Sequence, residues 1–221
     1  MCIVRQTLAV LEKELRSELR RRTGLAVVLL SVGSAGSIVA LSTGGLTLGA
    51  EITAALLWLV YVFAIFPVLG RSFLSEEERQ TRLLLWTLAP PSAIYWGKLL
   101  TAFLTSALNN ALATLVLGLF GIGLPARGVT VVLLLLAAAG LSAVATLLSA
   151  LVAAVQHRGL LLPILGFPLL IPVLLPGIAA TQLLLAGAAE RELFPSFALM
   201  TAYAGIVSIL GWWLFEWVWQ E

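Results

Sequence analysis

The reactive residues of this 221-residue chain are too few for most enzyme chemistry. It has one cysteine, Cys2, and one histidine, His157, so an intramolecular disulfide, an iron–sulfur site and a histidine-rich metal cluster are excluded. The motifs GxxxxGK[ST], HExxH and CxxCH do not occur. A serine hydrolase would depend on His157 alone as its base, in a short polar break between apolar segments. We therefore expect a chain that is not an enzyme and binds no cofactor of its own.

The clearest chemical pattern lies in residues 71–98. The run Ser75-Glu76-Glu77-Glu78 is a capping box, in which the serine bonds the third helical N–H and the last glutamate reaches back to the serine. It predicts a helix that runs to Leu88 and ends before Pro90-Pro91. The sequence Leu83-Leu84-Leu85-Trp86 makes its second half apolar. Such a helix suits either a groove of a partner protein or the surface of a bilayer.

The rest of the chain has the composition of a membrane protein. Apolar residues make up 61% and charged residues 11%, whereas a typical soluble domain is about 25% charged. Apolar windows of about 20 residues predict six spanning helices. Their bounds are Leu25–Leu48, Ile52–Gly70, Leu99–Leu124, Val129–Val155, Leu160–Ala188 and Phe197–Trp219. We predict an all-α, polytopic membrane protein with a single transmembrane domain over residues 1–221 and no room for a soluble ATPase or nucleic-acid-binding domain.

The basic residues determine the predicted orientation. Eleven of the 13 Lys and Arg residues lie before span one, between spans two and three, or between spans four and five. Only Arg127 and Arg191 lie on the other side. Because Lys and Arg accumulate in cytoplasmic loops, both termini are predicted to be cytoplasmic.

Residues 1–22 predict an amphipathic helix that lies in the membrane interface. Four leucines fall on one narrow stripe: Leu8, Leu11, Leu15 and Leu19. The pairs Glu12–Arg16 and Glu18–Arg22 have the favourable i,i+4 order, and Arg20–Arg22 can meet anionic headgroups. The helix is either a topology anchor or an elbow that moves during function.

Span five contains four of the nine prolines: Pro163, Pro168, Pro172 and Pro176. Each removes an N–H group and displaces the carbonyl four residues earlier. Freed backbone is tolerated at membrane depth only inside protein or beside water. The prolines therefore indicate either a bent or broken helix beside a substrate or subunit path, or a kink that neighbouring helices satisfy.

Other polar and aromatic residues favour structural roles. Asn109-Asn110 and Gln182 are interpreted as contacts between helices rather than substrate contacts. Glu216 lies near enough to the end of span six to reach the interface. Four tryptophans near the end are interpreted as an interfacial belt rather than a haem site: Trp212, Trp213, Trp217 and Trp219. His157 alone is a weak axial ligand for haem.

Two segments resemble known permeases. The first segment resembles ABC-2-type exporter permeases. It consists of Glu78-Arg79-Gln80-Thr81, the leucine run that follows, Pro90 and Lys98, although the glycine that usually precedes the threonine is missing. In those proteins this pattern forms the coupling helix that docks on the ATPase. By the resemblance, the coupling residues are Ser75, Glu78, Thr81, Leu84 and Leu85. A second segment is similar to the CcmB family, the permease subunit of the cytochrome c maturation transporter. It runs from Arg158-Gly159 through Leu160-Leu161-Leu162-Pro163 to Pro168-Leu169-Leu170-Ile171-Pro172.

This resemblance implies an ABC transporter permease of the bacterial cytoplasmic (inner) membrane that works in cytochrome c maturation. The expected complex contains a homodimer of this chain, an ATPase subunit (CcmA-like), a haem-handling membrane subunit (CcmC-like) and a small one-span subunit (CcmD-like), with no nucleic acid. ATP belongs to the ATPase, and haem is a possible substrate. ATP hydrolysis would drive haem delivery or release of a haem-loaded chaperone. The alternatives are a permease of another ABC-2-type exporter, for a drug, lipid or polysaccharide, and a membrane scaffold without transport.

Overall fold

The computed structural model describes residues 3–20, 22–43, 48–69, 90–153 and 158–218. These residues form seven α-helices, and none of them lies in a strand. The helices are α1 Ile3–Arg20, α2 Arg22–Thr43, α3 Ala50–Leu69, α4 Pro91–Leu119, α5 Gly128–Ala153, α6 Arg158–Leu185 and α7 Glu190–Val218. The predicted all-α class is confirmed.

Four helices, α4 to α7, are long and apolar enough to cross a membrane. The described part of α3 adds a shorter apolar stretch, Ala50–Ile65. The chain is therefore an integral membrane protein. The six predicted spans coincide in order with α2 to α7, and the count of six crossings stays a prediction.

Two helices begin about two turns earlier than the sequence predicts. Span three was expected from Leu99, but α4 begins at Pro91, since Pro90 is extended (φ −67°, ψ 151°) and a proline at the first helical position loses no hydrogen bond. Span six was expected from Phe197, but α7 begins at Glu190 with an acidic first turn that suits the helix dipole. The predicted windows begin after Lys98 in α4 and after the acidic first turn in α7, so they miss both starts.

Helix α5 is the centre of the bundle. It packs against α4, α6 and α7 and also contacts α3. In its apolar window 67% of the residues are buried, against at most 39% in the other three spans. Residues 140–150 are buried without interruption. This run is rich in Ala, Ser and Gly, and small residues of this kind let helix backbones approach closely inside a membrane.

Short turns make neighbours of consecutive helices. Gly121 follows α4 with φ 81° and Gly187 follows α6 with φ 77°, in the left-handed region that glycine adopts without strain. After α4, the Ile122 N–H donates to the Leu117 carbonyl at 2.9 Å and closes the helix end. These turns place α5 against α4 and α7 against α6.

Candidate functional site

The predicted coupling residues, like His157, lie outside the described residues. They are Ser75, Glu78, Thr81, Leu84 and Leu85. The structure does describe the element that follows them, because α4 begins at Pro91. Residues 91–98, which hydropathy assigns to the coupling loop, are the first two turns of this helix. The coupling role stays a prediction.

Lys98 is the single fully buried charged residue among those that the structure describes. Its side chain has no exposed area, and its Nζ lies 3.6 Å from Oε1 of Glu14 in α1. The same carboxylate oxygen lies 3.1 Å from Nζ of Lys13. A charge removed from water is tolerated when it is paired. The charge distribution predicts Lys98 to be a cytoplasmic loop cation, and the ABC-2-type pattern includes it, whereas in the structure Lys98 is part of the contact between α1 and α4.

Gly97 lets the backbones of α1 and α4 approach each other. A Cβ atom at position 97 would lie 2.6 Å from Cγ1 of Val10 and 3.3 Å from the backbone oxygen of Thr7. Val10 and Thr7 are both buried. Contacts between helices through glycine are characteristic of membrane bundles. We call these five residues the α1–α4 contact: Thr7, Val10, Glu14, Gly97 and Lys98.

Helix α1 presents three different faces. One face, with Thr7, Val10 and Glu14, contacts α4. The predicted leucine stripe lies about 110° around the helix from it, with Leu8 exposed and Leu11 half-buried. The third face is exposed and charged, and its members are Arg5, Glu12, Lys13 and Arg16. This division suits a helix on the membrane surface with leucines toward lipid, charges toward water and one side against the bundle.

All four predicted prolines lie in one uninterrupted helix, α6. Pro168 is exposed, Pro172 is half-buried and Pro176 is buried, so the proline series winds from the surface of the bundle into its interior. The surroundings of the Pro163 side chain lie outside the described residues. A transport role for this helix stays a prediction.

Large side chains from α3 and α7 hold α6 around its prolines. Trp58 of α3 covers Gly177, where a Cβ atom would overlap the indole ring. The Trp58 Nε1–H donates to Oγ1 of Thr181 at 2.9 Å. From α7, the Tyr203 hydroxyl donates to the carbonyl of Leu169 at 2.7 Å. These contacts attach the proline-rich part of α6 to α3 and α7, and the role of the prolines stays a prediction.

The asparagines of α4 differ from each other. Nδ2 of Asn109 donates to the carbonyl of Ala64 in α3 at 3.3 Å, as the interpretation of a helix–helix contact expects. Nδ2 of Asn110 is buried and has no hydrogen-bond partner. Beside them, the hydroxyl groups of Tyr61 and Thr114 share a hydrogen bond of 2.6 Å between α3 and α4. The sequence patterns did not single out Tyr61 or Trp58, whose side chains hydrogen-bond to α4 and α6.

An aromatic cluster lies where the first turns of α4 meet the last turns of α7. The ring of Tyr95 lies 5.9 Å from Trp96 and 5.7 Å from Phe215, centroid to centroid. The Tyr95 ring also covers Gly211. Trp213 is exposed, which suits the predicted interfacial belt. The side chains of the last two tryptophans lie outside the described residues.

Three other singled-out residues occupy intermediate positions. Gln182 and Glu216 are half-buried. The Nε1–H group of Trp212 is buried without a hydrogen-bond partner. Among the residues that the structure describes, no three His, Cys, Asp or Glu side chains are grouped to hold a metal ion. The described helices form a packed membrane bundle with the amphipathic helix α1 attached to it.

Comparison with known proteins shows to which family this membrane protein belongs. The family model described as "CcmB protein" matches residues 5–212. The chain belongs to the CcmB family. A curated relative, Heme exporter protein B of Bradyrhizobium diazoefficiens, is 29% identical over 206 residues, which are 92% of each chain. No solved structure matches. The CcmB match runs from α1 into α7 and so includes both halves of the α1–α4 contact.

Proposed function

We propose that this CcmB-family chain is the permease subunit of an ABC transporter that serves cytochrome c maturation. It would export haem or release a haem-loaded chaperone on the outer side of the membrane. The observation that carries the proposal is the family match over residues 5–212, supported by the relative named Heme exporter protein B. The sequence contains no nucleotide-binding motif. ATP hydrolysis therefore belongs to a separate ATPase subunit, and haem is this chain's substrate rather than its resident cofactor.

The proposed coupling helix, Ser75–Leu88, transmits the ATPase motion into the bundle. Its apolar residues would insert into a groove of the ATPase, and its acidic cap would support the first turn. The support for this role is the resemblance of the segment to ABC-2-type permeases and its position directly before α4 in the sequence. Helix α4 contacts α1, α2, α3, α5 and α7, so a displacement of α4 reaches most of the bundle.

The proposed complex places both termini on the cytoplasmic side of the bacterial inner membrane. The distribution of Lys and Arg supports this orientation. Two copies of the permease would work with two ATPase subunits, a haem-handling membrane subunit and a small one-span subunit. In this arrangement the proline-rich part of α6 is the candidate for a kinked transport helix, because Pro168 lies exposed on the outside of the single-chain bundle.

Deletion of the protein tests the proposed function. We expect covalently attached haem to disappear from all c-type cytochromes, because haem attachment on the outer side is interrupted. The b-type haem proteins should stay normal, since haem synthesis lies upstream. A haem-stained gel of membranes, with a spectrum of b-type haem, measures both, and expression of the wild-type chain in the deletion strain should restore the bands. Normal c-type bands, or an equal loss of b-type haem, would contradict the proposal and favour a permease for another substrate.

A further inference from the structure

The α1–α4 contact contains more than membrane anchoring requires. An interfacial helix is held by apolar residues that enter the lipid and basic residues that meet headgroups. In α1 those are the leucine stripe and the exposed arginines. The Glu14–Lys98 ion pair and the close approach of Val10 to Gly97 lie on a different face and connect α1 to α4.

We propose that Glu14 and Lys98, with Val10 seated on Gly97, are positioning residues that keep α1 attached to α4 throughout the transport cycle. This inference rests on the proposed function for its consequence, but the attachment itself can be measured without haem. Permanent attachment of α1 to α4 excludes the alternative in which α1 is only a topology anchor and α4 moves independently beside it.

The position of the contact along α4 gives it mechanical importance. Lys98 lies seven residues after Pro91, which is about 10 Å along the helix from its first residue. The coupling loop directly precedes Pro91 in the sequence. A force that reaches α4 from the loop therefore meets the attached α1 within the first two turns. The two helices then move together, and the leucines of α1 shift along the membrane surface with them.

A buried ion pair is a selective means of attachment. Removal of Glu14 takes a carboxylate partner from Lys98, whose side chain has no exposed area, whereas replacement of both by apolar residues of similar volume is often tolerated. An exposed pair on the same helix, Glu12–Arg16, has an N–O distance of 2.5 Å, and its side chains are 62% and 76% exposed. Exposed i,i+4 pairs contribute little. The two glutamates of α1 therefore form a matched test and control.

Thiol labelling measures the attachment directly. In a Cys2→Ser background, Val10→Cys provides the chain's only thiol, at a position that is 6% exposed. A membrane-impermeant maleimide is added to inverted membrane vesicles that contain the complete complex. We expect slow labelling of position 10, an increase of about tenfold or more with Glu14→Leu, and no change with Glu12→Leu. The double variant Glu14→Leu/Lys98→Met should label slowly again.

The same probe tests whether the contact persists during the cycle. Labelling should stay slow with and without ATP, and also when the ATPase is trapped with vanadate. Faster labelling in any of these states would show that α1 leaves α4, and it would overturn the proposal. Equal labelling of the Glu14→Leu and Glu12→Leu variants would overturn it as well, because the buried pair would then have no specific role.

A functional readout separates positioning from a chemical role of the charges. The Glu14→Leu variant should lower haem attachment to c-type cytochromes while the ATPase subunit still co-purifies. The double variant should recover attachment. If the double variant labels slowly but stays inactive, the charges do more than hold the helices, and the positioning role is wrong. If haem attachment does not depend on the wild-type chain at all, the proposed function fails while the labelling result on the contact stands.

Discussion

Substitution of Gly177 by alanine should destabilise the bundle although alanine favours helices. The added methyl group would overlap the six-membered ring of Trp58, a side chain that is 1% exposed and enclosed by the core. The ring cannot move without loss of the hydrogen bond from its Nε1–H to Thr181. The substitution therefore tests whether the proline-rich helix is held by α3 in the way that the structure shows.

The magnitude follows from three contributions. An overpacked core costs about 1–3 kcal/mol, and loss of a hydrogen bond inside a membrane protein costs about 0.6 kcal/mol on average. Replacement of glycine by alanine in a helix returns up to about 1 kcal/mol. The net free energy of unfolding should fall by about 1–3 kcal/mol, which is roughly 5- to 150-fold in the unfolding equilibrium.

Reversible unfolding in mixed micelles, by titration with sodium dodecyl sulfate, measures this change. Gly205→Ala is the matched control, because Gly205 lies inside α7 with no atom within 4 Å of an added Cβ. Trp58→Phe removes the colliding ring, so Gly177→Ala should cost at least about 1 kcal/mol less in that background than in the wild type. Equal stability of the Gly177→Ala and Gly205→Ala variants, or additive effects of the Trp58 and Gly177 changes, would refute the contact.

Two further predictions concern α4 and the segment before it. Asn110→Leu should leave stability unchanged or raise it, since its buried Nδ2 has no partner, whereas Asn109→Leu should lower it by about 0.6 kcal/mol with the lost hydrogen bond to α3. The same unfolding titration measures both, and the reverse order would contradict the hydrogen-bond assignment. Leu84→Asp with Leu85→Asp should abolish co-purification of the ATPase, because two buried leucines contribute about 3–6 kcal/mol, enough to dissociate a micromolar complex. Wild-type recovery of the ATPase by a stably inserted variant would reject the docking role.

The fold class follows from the sequence because hydropathy reflects the energy of burial in lipid. Windows of about 20 apolar residues found α4 to α7 in the right order. They missed the starts of α4 and α7, because Pro91 and Glu190 begin helices for reasons of backbone geometry and dipole rather than hydropathy. Capping rules applied to Pro90-Pro91 could have found the first of these starts.

The contacts between helices were much less predictable. The leucine periodicity of α1 correctly indicated an amphipathic helix, yet the face that contacts α4 contains a threonine, a valine and a glutamate. Nothing in the local sequence pairs Glu14 with Lys98, which lies 84 positions later. A lysine seven residues into a helix that begins at a proline was the available signal, since such a residue lies too deep to count as a loop cation.

The positions of glycine residues indicate which helices pack against each other, which hydropathy does not. In a bilayer, apolar side chains gain nothing by leaving lipid for protein, so close backbone approach and hydrogen bonds decide which helices associate. Four glycines in four helices each lie against a side chain of a neighbouring helix: Gly97 against Val10, Gly140 against Val173, Gly177 against Trp58 and Gly211 against Tyr95. They join α4 to α1, α5 to α6, α6 to α3 and α7 to α4. A hydropathy profile scores these glycines as weak apolar residues, whereas in the structure they select the neighbours of each helix.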